Sequence, residues 1–335
     1  MWSMACTASR HGTLLEGIRS AAGDKAEILY AKGSNVYEDA EMEKAAAGIR
    51  PLEHEDNRKL LDEALRVASR ADVIVAALGE CAEMSGESAS RTSLEIPDAQ
   101  QDLLKALVKT GKPVVLLLFT GRPLVLNWED ANVHSILNVW FGGSETGDAV
   151  ADVLFGKITP SGKLTTTFPR SVGQLPLFYN HLNTGRPDPD SHIFNRYASN
   201  YLDESNEPLY PFGYGLSYTD FVYGELQISS ETLPKNGELT VSVTVTNKGN
   251  YDGYETVQLY LHDIYAEIAR PVKELKGFER VFLKSGESRD VKFVITEDDL
   301  KFYNSELHYV YEPGEFDVMV GPNSRDVQTK SFQAK

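Results

Sequence analysis

The spacing of the apolar residues changes near Phe221, and this change divides the chain into two classes of structure. Before about residue 180, continuous apolar runs alternate with segments whose apolar residues recur every three to four positions, the spacing of one helix face. This order of strand and helix predicts a mostly parallel sheet covered by helices. We therefore assign an α/β sandwich domain to residues 1–175.

The second class of structure follows Phe221, where apolar and polar residues alternate in the period of a half-buried strand. Residues 239–245 and 289–295 show the alternation most clearly, and turn residues separate such runs. Roughly seven short strands of this kind predict an all-β sandwich, immunoglobulin-like or of the fibronectin type III kind, over residues 218–335. Residues 176–217 lack any period. Because so long an idle connection is unusual, we expect an ordered, extended linker.

Individual elements can be predicted within the α/β domain. The apolar run 73–78 is continuous and predicts a strand buried on both faces. Shorter apolar runs or helical spacings predict strands over 27–31, 113–119 and 135–140, and helices over 56–69, 99–110 and 148–155.

Composition excludes several classes of function. The formal net charge of −16 argues against binding to nucleic acid or to an anionic membrane surface. No run approaches the roughly 18 apolar residues of a membrane span, and the first residues do not form a signal-peptide pattern. Two distant cysteines, Cys6 and Cys81, make neither a disulfide framework nor a zinc site. The scattered histidines, among them His134, His181, His192 and His262, lack metal-ligand spacing.

The most informative candidate site is the loop 79–92, which follows directly on the apolar run 73–78. It holds three carboxylates, Glu80, Glu83 and Glu87, together with Arg91. Open α/β sheets carry their chemistry at such strand ends, and a carboxylate on a mobile loop is a candidate proton donor. The residues alone are also compatible with a second interpretation, a solvated loop that has no catalytic role. The glycine-rich segment 142–147 lacks a phosphate-binding fingerprint, and no G-x-S-x-G elbow is present.

Longer blocks of the sequence resemble a known family. The chain resembles the C-terminal half of family 3 glycoside hydrolases, and within them the bacterial periplasmic β-glucosidase type. The resemblance covers nearly the whole chain. The blocks that carry it lie at residues 79–92, 96–104, 111–115, 121–124, 140–143, 147–156, 160–164, 168–176, 183–187, 209–219 and 270–278.

The resemblance implies a retaining, exo-acting hydrolase of terminal β-D-glucosyl residues. In such enzymes an N-terminal barrel supplies the nucleophilic aspartate, and a glutamate on a sandwich-domain loop is the general acid/base. That glutamate aligns with Glu87, with Glu80 as second choice and otherwise a structural carboxylate. Arg91 is expected to hold the loop or tune Glu87. The chemistry needs no metal or organic cofactor.

This chain lacks the barrel, so its expected partners are a carbohydrate substrate and the missing barrel domain. We expect no turnover by the chain alone, and self-association through a face that a barrel would cover. A periplasmic or secreted location is implied. The rival hypothesis is a non-catalytic scaffold or assembly module.

Overall fold

The computed structural model describes residues 12–36, 55–81, 84–187 and 195–335. Cys6, Glu83 and His192 lie outside the described residues. The chain divides into two compact units, Met1–Ile158 and Thr159–Lys335. The second unit includes the segment predicted as a linker, and the three-part division drawn from the sequence stays a prediction.

The first unit alternates helices and strands. Its elements are α1 (Leu14–Ala22), α2 (Asn57–Ala68), β1 (Ile74–Gly79), α3 (Asp98–Val108), β2 (Val114–Phe119), α4 (Asn127–Asn132), β3 (Ser135–Asn138) and α5 (Thr146–Leu154). Thr13 and Glu16 form a capping box that begins α1, and the Asp56 side chain caps α2. The short helix α4 had no periodic signal in the sequence.

The three strands of this unit form a parallel sheet in the order β1-β2-β3. Ile74 pairs with Val114, and Val115 pairs with Ser135. The central strand is the most deeply buried, because Leu116, Leu117 and Leu118 expose none of their surface. The predicted α/β class with a parallel sheet is confirmed.

Two predictions about the strands of this unit are wrong. Within the described residues, one face of β1 is open: Val75 is 40% exposed, whereas Ile74 and Ala76 on the other face are buried. A continuous apolar run therefore does not mean that both faces are covered. The strand predicted over 27–31 is not formed, since these residues join no β-ladder and Tyr30 is 60% exposed. An apolar composition alone did not provide a pairing partner.

The second unit is dominated by β-structure. Its elements are a 3₁₀ turn (Val172–Gln174), β4 (Phe221–Tyr223), β5 (Gln227–Ile228), β6 (Thr232–Leu233), β7 (Leu239–Asn247), β8 (Gly253–Asp263), β9 (Glu274–Leu283), β10 (Ser288–Ile295), α6 (Glu297–Leu300), β11 (Phe302–Tyr303), β12 (Tyr309–Val310), β13 (Gly314–Gly321) and β14 (Gln328–Ala334).

Two sheets make up the sandwich of this unit. One has the order β10-β7-β4 with β5 also on β7, and the other has the order β6-β14-β13-β8-β9. The core between them is aliphatic and aromatic; Val241, Val257, Val318 and Phe332 are buried in it. The predicted fibronectin-like sandwich is confirmed.

In the described parts of the aperiodic segment before the sandwich, aromatic residues pack onto β8. The rings of Tyr179 and Phe212 stack with centroids 4.3 Å apart, and Tyr260 meets Tyr179 edge-on at 5.8 Å. The buried amide of Gln258 donates to the Gly213 carbonyl at 3.1 Å. Such contacts stabilise an irregular backbone without any periodic pattern.

Candidate active site

The candidate site begins where β1 ends at Gly79. Gly79 has φ 141°, and a Cβ atom built there would lie 1.8 Å from the Phe119 carbonyl oxygen, so only glycine fits. The buried Gln100 side chain of α3 accepts from the Gly79 N–H at 2.7 Å and donates to its carbonyl at 2.8 Å. These contacts fix the point at which the chain leaves the sheet.

Glu80 follows directly and is completely buried. Its side chain is 0% exposed, and both carboxylate oxygens are occupied. Oε1 accepts from Arg91 Nη1 at 2.9 Å and lies 3.1 Å from Arg122 Nε, whereas Oε2 accepts from Thr120 Oγ1 at 2.7 Å and from the Gly121 N–H at 3.2 Å. Two guanidinium groups and two further donors compensate the burial of this charge.

Arg122 connects this buried cluster to the loop. Its Nη2 donates to the Ala89 carbonyl at 2.8 Å and also to the Met84 carbonyl. Arg91 donates through its own Nη2 to the Glu95 carbonyl at 3.1 Å. Met84 is 2% exposed and packs with Cys81 and Val36. Arg122 therefore holds both ends of the segment 84–89, and the buried Met84 side chain also anchors its first residue.

Glu87 lies at the exposed tip of that segment. The turn is closed by a 3.4 Å hydrogen bond from the Ala89 N–H to the Gly86 carbonyl, with Gly86 at φ 124° and Ser88 at φ 58°. Gly86, Glu87 and Ser88 are all exposed. Within the part of the chain that the structure describes, the Glu87 side chain makes no hydrogen bond or ion pair.

The two named glutamates of the loop thus differ sharply. Glu80 is enclosed, and both of its carboxylate oxygens are engaged by arginine, hydroxyl or backbone donors. Glu87 is solvent-accessible and lies on a turn that Arg122 braces, so its carboxylate is open to contact from outside the chain. Arg91 lies against Glu80 and not against Glu87.

Sequence reasoning missed the residues that build the site around Glu80. Thr120 and Arg122 follow β2, about forty residues away in sequence, and although Arg122 stands in a block of the family resemblance, nothing local indicated that either residue contacts Glu80. Gln100 carried a signal that could have been used, because a polar residue on the buried face of a predicted helix needs a partner.

No group of three or more His, Cys, Asp or Glu side chains suited to a metal ion occurs among residues 12–36, 55–81, 84–187 and 195–335. Over the same residues, no helix is long and apolar enough to cross a membrane.

Comparison with known proteins identifies the family. The protein-family model described as "Glycosyl hydrolase family 3 C-terminal domain" matches residues 1–218 of the sequence. The chain belongs to glycosyl hydrolase family 3. A model described as "Fibronectin type III-like domain" matches residues 255–324, within the β-sandwich.

Individual proteins that are similar to this chain support the same family assignment. It is 48% identical over 339 residues to a periplasmic beta-glucosidase of Salmonella typhimurium, covering 99% of this chain and 44% of that protein. It is 38% identical to a beta-xylosidase of Formosa agariphila, covering 96% of this chain and 42% of the relative. A crystal structure of a beta-glucosidase from Listeria innocua in complex with isofagomine superposes with a TM-score of 0.83 at 38% identity, over 97% of this chain and 42% of that one.

These figures also set the extent of the likeness. The chain spans less than half the length of the curated relatives that it matches, 44% and 42% in the two cases above. It therefore corresponds to the C-terminal part of a glycoside hydrolase.

Proposed function

We propose that this chain is the C-terminal part of a retaining, exo-acting β-glucosidase and that Glu87 is its general acid/base. The reaction splits a terminal β-D-glucosyl bond. Glu87 protonates the departing glycosidic oxygen and then removes a proton from the water that hydrolyses the glycosyl-enzyme. The second carboxylate, the nucleophile, belongs to the N-terminal barrel that family 3 enzymes carry.

The observation that carries this proposal is the contrast between Glu87 and Glu80. A retaining hydrolase needs two carboxyl groups about 5–5.5 Å apart across the substrate, so its acid must reach outward to meet a partner. Exposed Glu87 on its braced turn satisfies that need. Glu80, with both oxygens engaged, supports a positioning role for the cluster of Glu80, Arg91 and Arg122.

The chain alone is proposed to be inactive because it lacks the nucleophile. The direct test uses a chimera in which this chain replaces the matching part of the Salmonella typhimurium enzyme. An aryl β-glucoside is assayed with the chain alone and with the chimera. We expect turnover only with the chimera; turnover by the purified chain alone would contradict the proposal.

A periplasmic location is proposed from the named Salmonella typhimurium relative. The rival role, a non-catalytic scaffold, predicts instead that the chimera is folded and has no activity with any glycoside. The same assay therefore separates the two functions.

A further inference from the structure

A cavity of about 200 Å³ lies within the second unit, and the proposed hydrolysis does not use it. Its lining comes from both ends of the aperiodic segment, residues 177–181 and 206–211, and from the β13–β14 turn at Ser324 and Arg325. Thr167 and Lys273, which precedes β9, also line it.

Backbone hydrogen bonds hold these walls in place. The Val272 N–H donates to the His181 carbonyl at 2.9 Å, and the Ser324 N–H donates to the Phe212 carbonyl at 2.9 Å. Phe212 in turn stacks on Tyr179, one of the lining residues. The cavity is therefore formed before any ligand arrives, as is usual for small-molecule sites.

Two oppositely charged groups line the cavity with hydrogen-bonding capacity to spare. Lys273 Nζ donates to the Ser324 carbonyl at 2.6 Å, one of the three donors of an ammonium group. The Glu207 carboxylate makes no hydrogen bond or ion pair within the described ranges, although Arg170 Nε holds the Glu207 carbonyl at 3.1 Å. Burial lowers the pKa of Lys273, and the charge of Glu207 partly offsets this shift.

The apolar part of the lining includes one exposed aromatic ring, that of Phe178. Phe178 is 54% exposed, an unusual state for a phenylalanine, and it lies at the cavity. Arg325, the other cation of the lining, is already 3.3 Å from Asp326. The positive charge of Lys273 and the negative charge of Glu207 then offset one another, so the site favours a neutral ligand over an anion.

A ligand that fits must be small, uncharged, rich in hydroxyls and apolar on one face. A pyranose ring has these properties, because its C–H groups cover one face and its hydroxyls donate and accept around the edge. We propose that this cavity is a non-catalytic binding site for one neutral pyranose. Phe178 lies against the C–H face, Lys273 donates to a hydroxyl oxygen, and the Glu207 carboxylate accepts from a hydroxyl.

The experiment titrates D-glucose into the isotope-labelled 335-residue chain and follows the amide NMR signals. We expect saturable shifts at the cavity residues. Glu207→Gln is expected to weaken binding about tenfold, since hydrogen bonds to charged groups are about twice as strong as neutral ones. Phe178→Ala is expected to weaken it about fivefold, through loss of the stacked ring.

Matched controls separate a specific site from a general effect. Tyr303→Ala removes an aromatic ring of similar exposure (62%) elsewhere in the same unit, and it should leave glucose affinity unchanged. Thermal unfolding of each variant shows that the fold is kept. Absence of saturable shifts overturns the proposal, as does equal affinity in wild type, Glu207→Gln and Phe178→Ala. Competition by inorganic phosphate also overturns it, because an anion site would then explain the binding. The readout requires no turnover, so it stands apart from the fate of Glu87.

Discussion

Arg122 lies 3.1 Å from the Glu80 carboxylate through Nε and donates through Nη2 to the Ala89 carbonyl at 2.8 Å. One side chain therefore links a fully buried acid at the end of the sheet to the turn that presents Glu87. The site is built from the inside outward, with a neutralised carboxylate as its support and an exposed carboxylate at its tip.

Replacing Arg122 should destabilise the fold, because its guanidinium contacts both Glu80 and the turn that carries Glu87. Arg122→Met leaves Glu80 buried with one guanidinium in place of two, and we expect a loss of about 3 kcal/mol in the free energy of unfolding, as for other broken buried ion pairs. Urea denaturation measures it. The control is Arg289→Met, which breaks the exposed pair with Glu287 and should cost less than about 1 kcal/mol. Equal losses in the two variants would refute the structural role of Arg122.

Substitutions of the two loop glutamates should differ in their effect on the free energy of unfolding. Glu80→Gln removes a charge that two arginines surround and should destabilise the fold by about 3 kcal/mol or more. Glu87→Gln changes an exposed side chain and should remain within about 0.5 kcal/mol of wild type. The same denaturation series compares them. A strongly destabilised Glu87→Gln variant would mean that Glu87 is held internally, contrary to the structure.

Asp263 at the end of β8 should make stability depend on pH in the reverse of the usual sense. Burial raises its pKa from 3.8 to about 6; Arg270 opposes the shift, and Glu312 and Glu274 add to it. The Oδ2 atom is buried without a hydrogen-bond partner in the described part of the chain. The folded state thus binds a proton more readily than the unfolded state.

It follows that the contribution of Asp263 becomes more favourable as pH falls from about 6 to about 4. Asp263→Asn should therefore be more stable than wild type at about pH 7, and this advantage should shrink on acidification. Urea midpoints of both proteins across that range provide the test. An advantage that is constant or grows at low pH would exclude the raised pKa.

Self-association is expected of the isolated chain, because apolar side chains of β1 and its approach are open to solvent. Val73 and Val75 are 52% and 40% exposed, and within the described residues β1 pairs with β2 alone. Exposed apolar side chains and open strand edges both favour association. Light scattering should show a mass that rises with concentration, and Val75→Lys should reduce the rise. A mass that stays monomeric in wild type would contradict this expectation.

Much of the fold could be predicted from local patterns. The alternation in 239–245 and the apolar run 113–119 became β7 and β2, because burial of one or both faces imposes those periods directly. The prediction of a strand at 27–31 is wrong, because a strand also requires a neighbouring strand, which the local sequence does not specify.

The candidate site was predictable only in part. The loop and its carboxylates follow from the strand that ends at Gly79. The partners Arg122 and Thr120 do not, because they meet Glu80 only after two strands are placed side by side. The sequence likewise could not tell which glutamate is buried, as both lie beside glycine or serine on one loop.

The central claim, that Glu87 delivers the proton, is tested most directly by the leaving-group dependence of the chimera. An aryl glucoside with an acidic phenol needs little protonation to depart, whereas a disaccharide needs full protonation. Glu87→Gln should therefore reduce the glycosylation rate about 10²–10⁴-fold on the disaccharide and far less on the activated aryl glucoside. Unchanged disaccharide hydrolysis by Glu87→Gln would contradict the account.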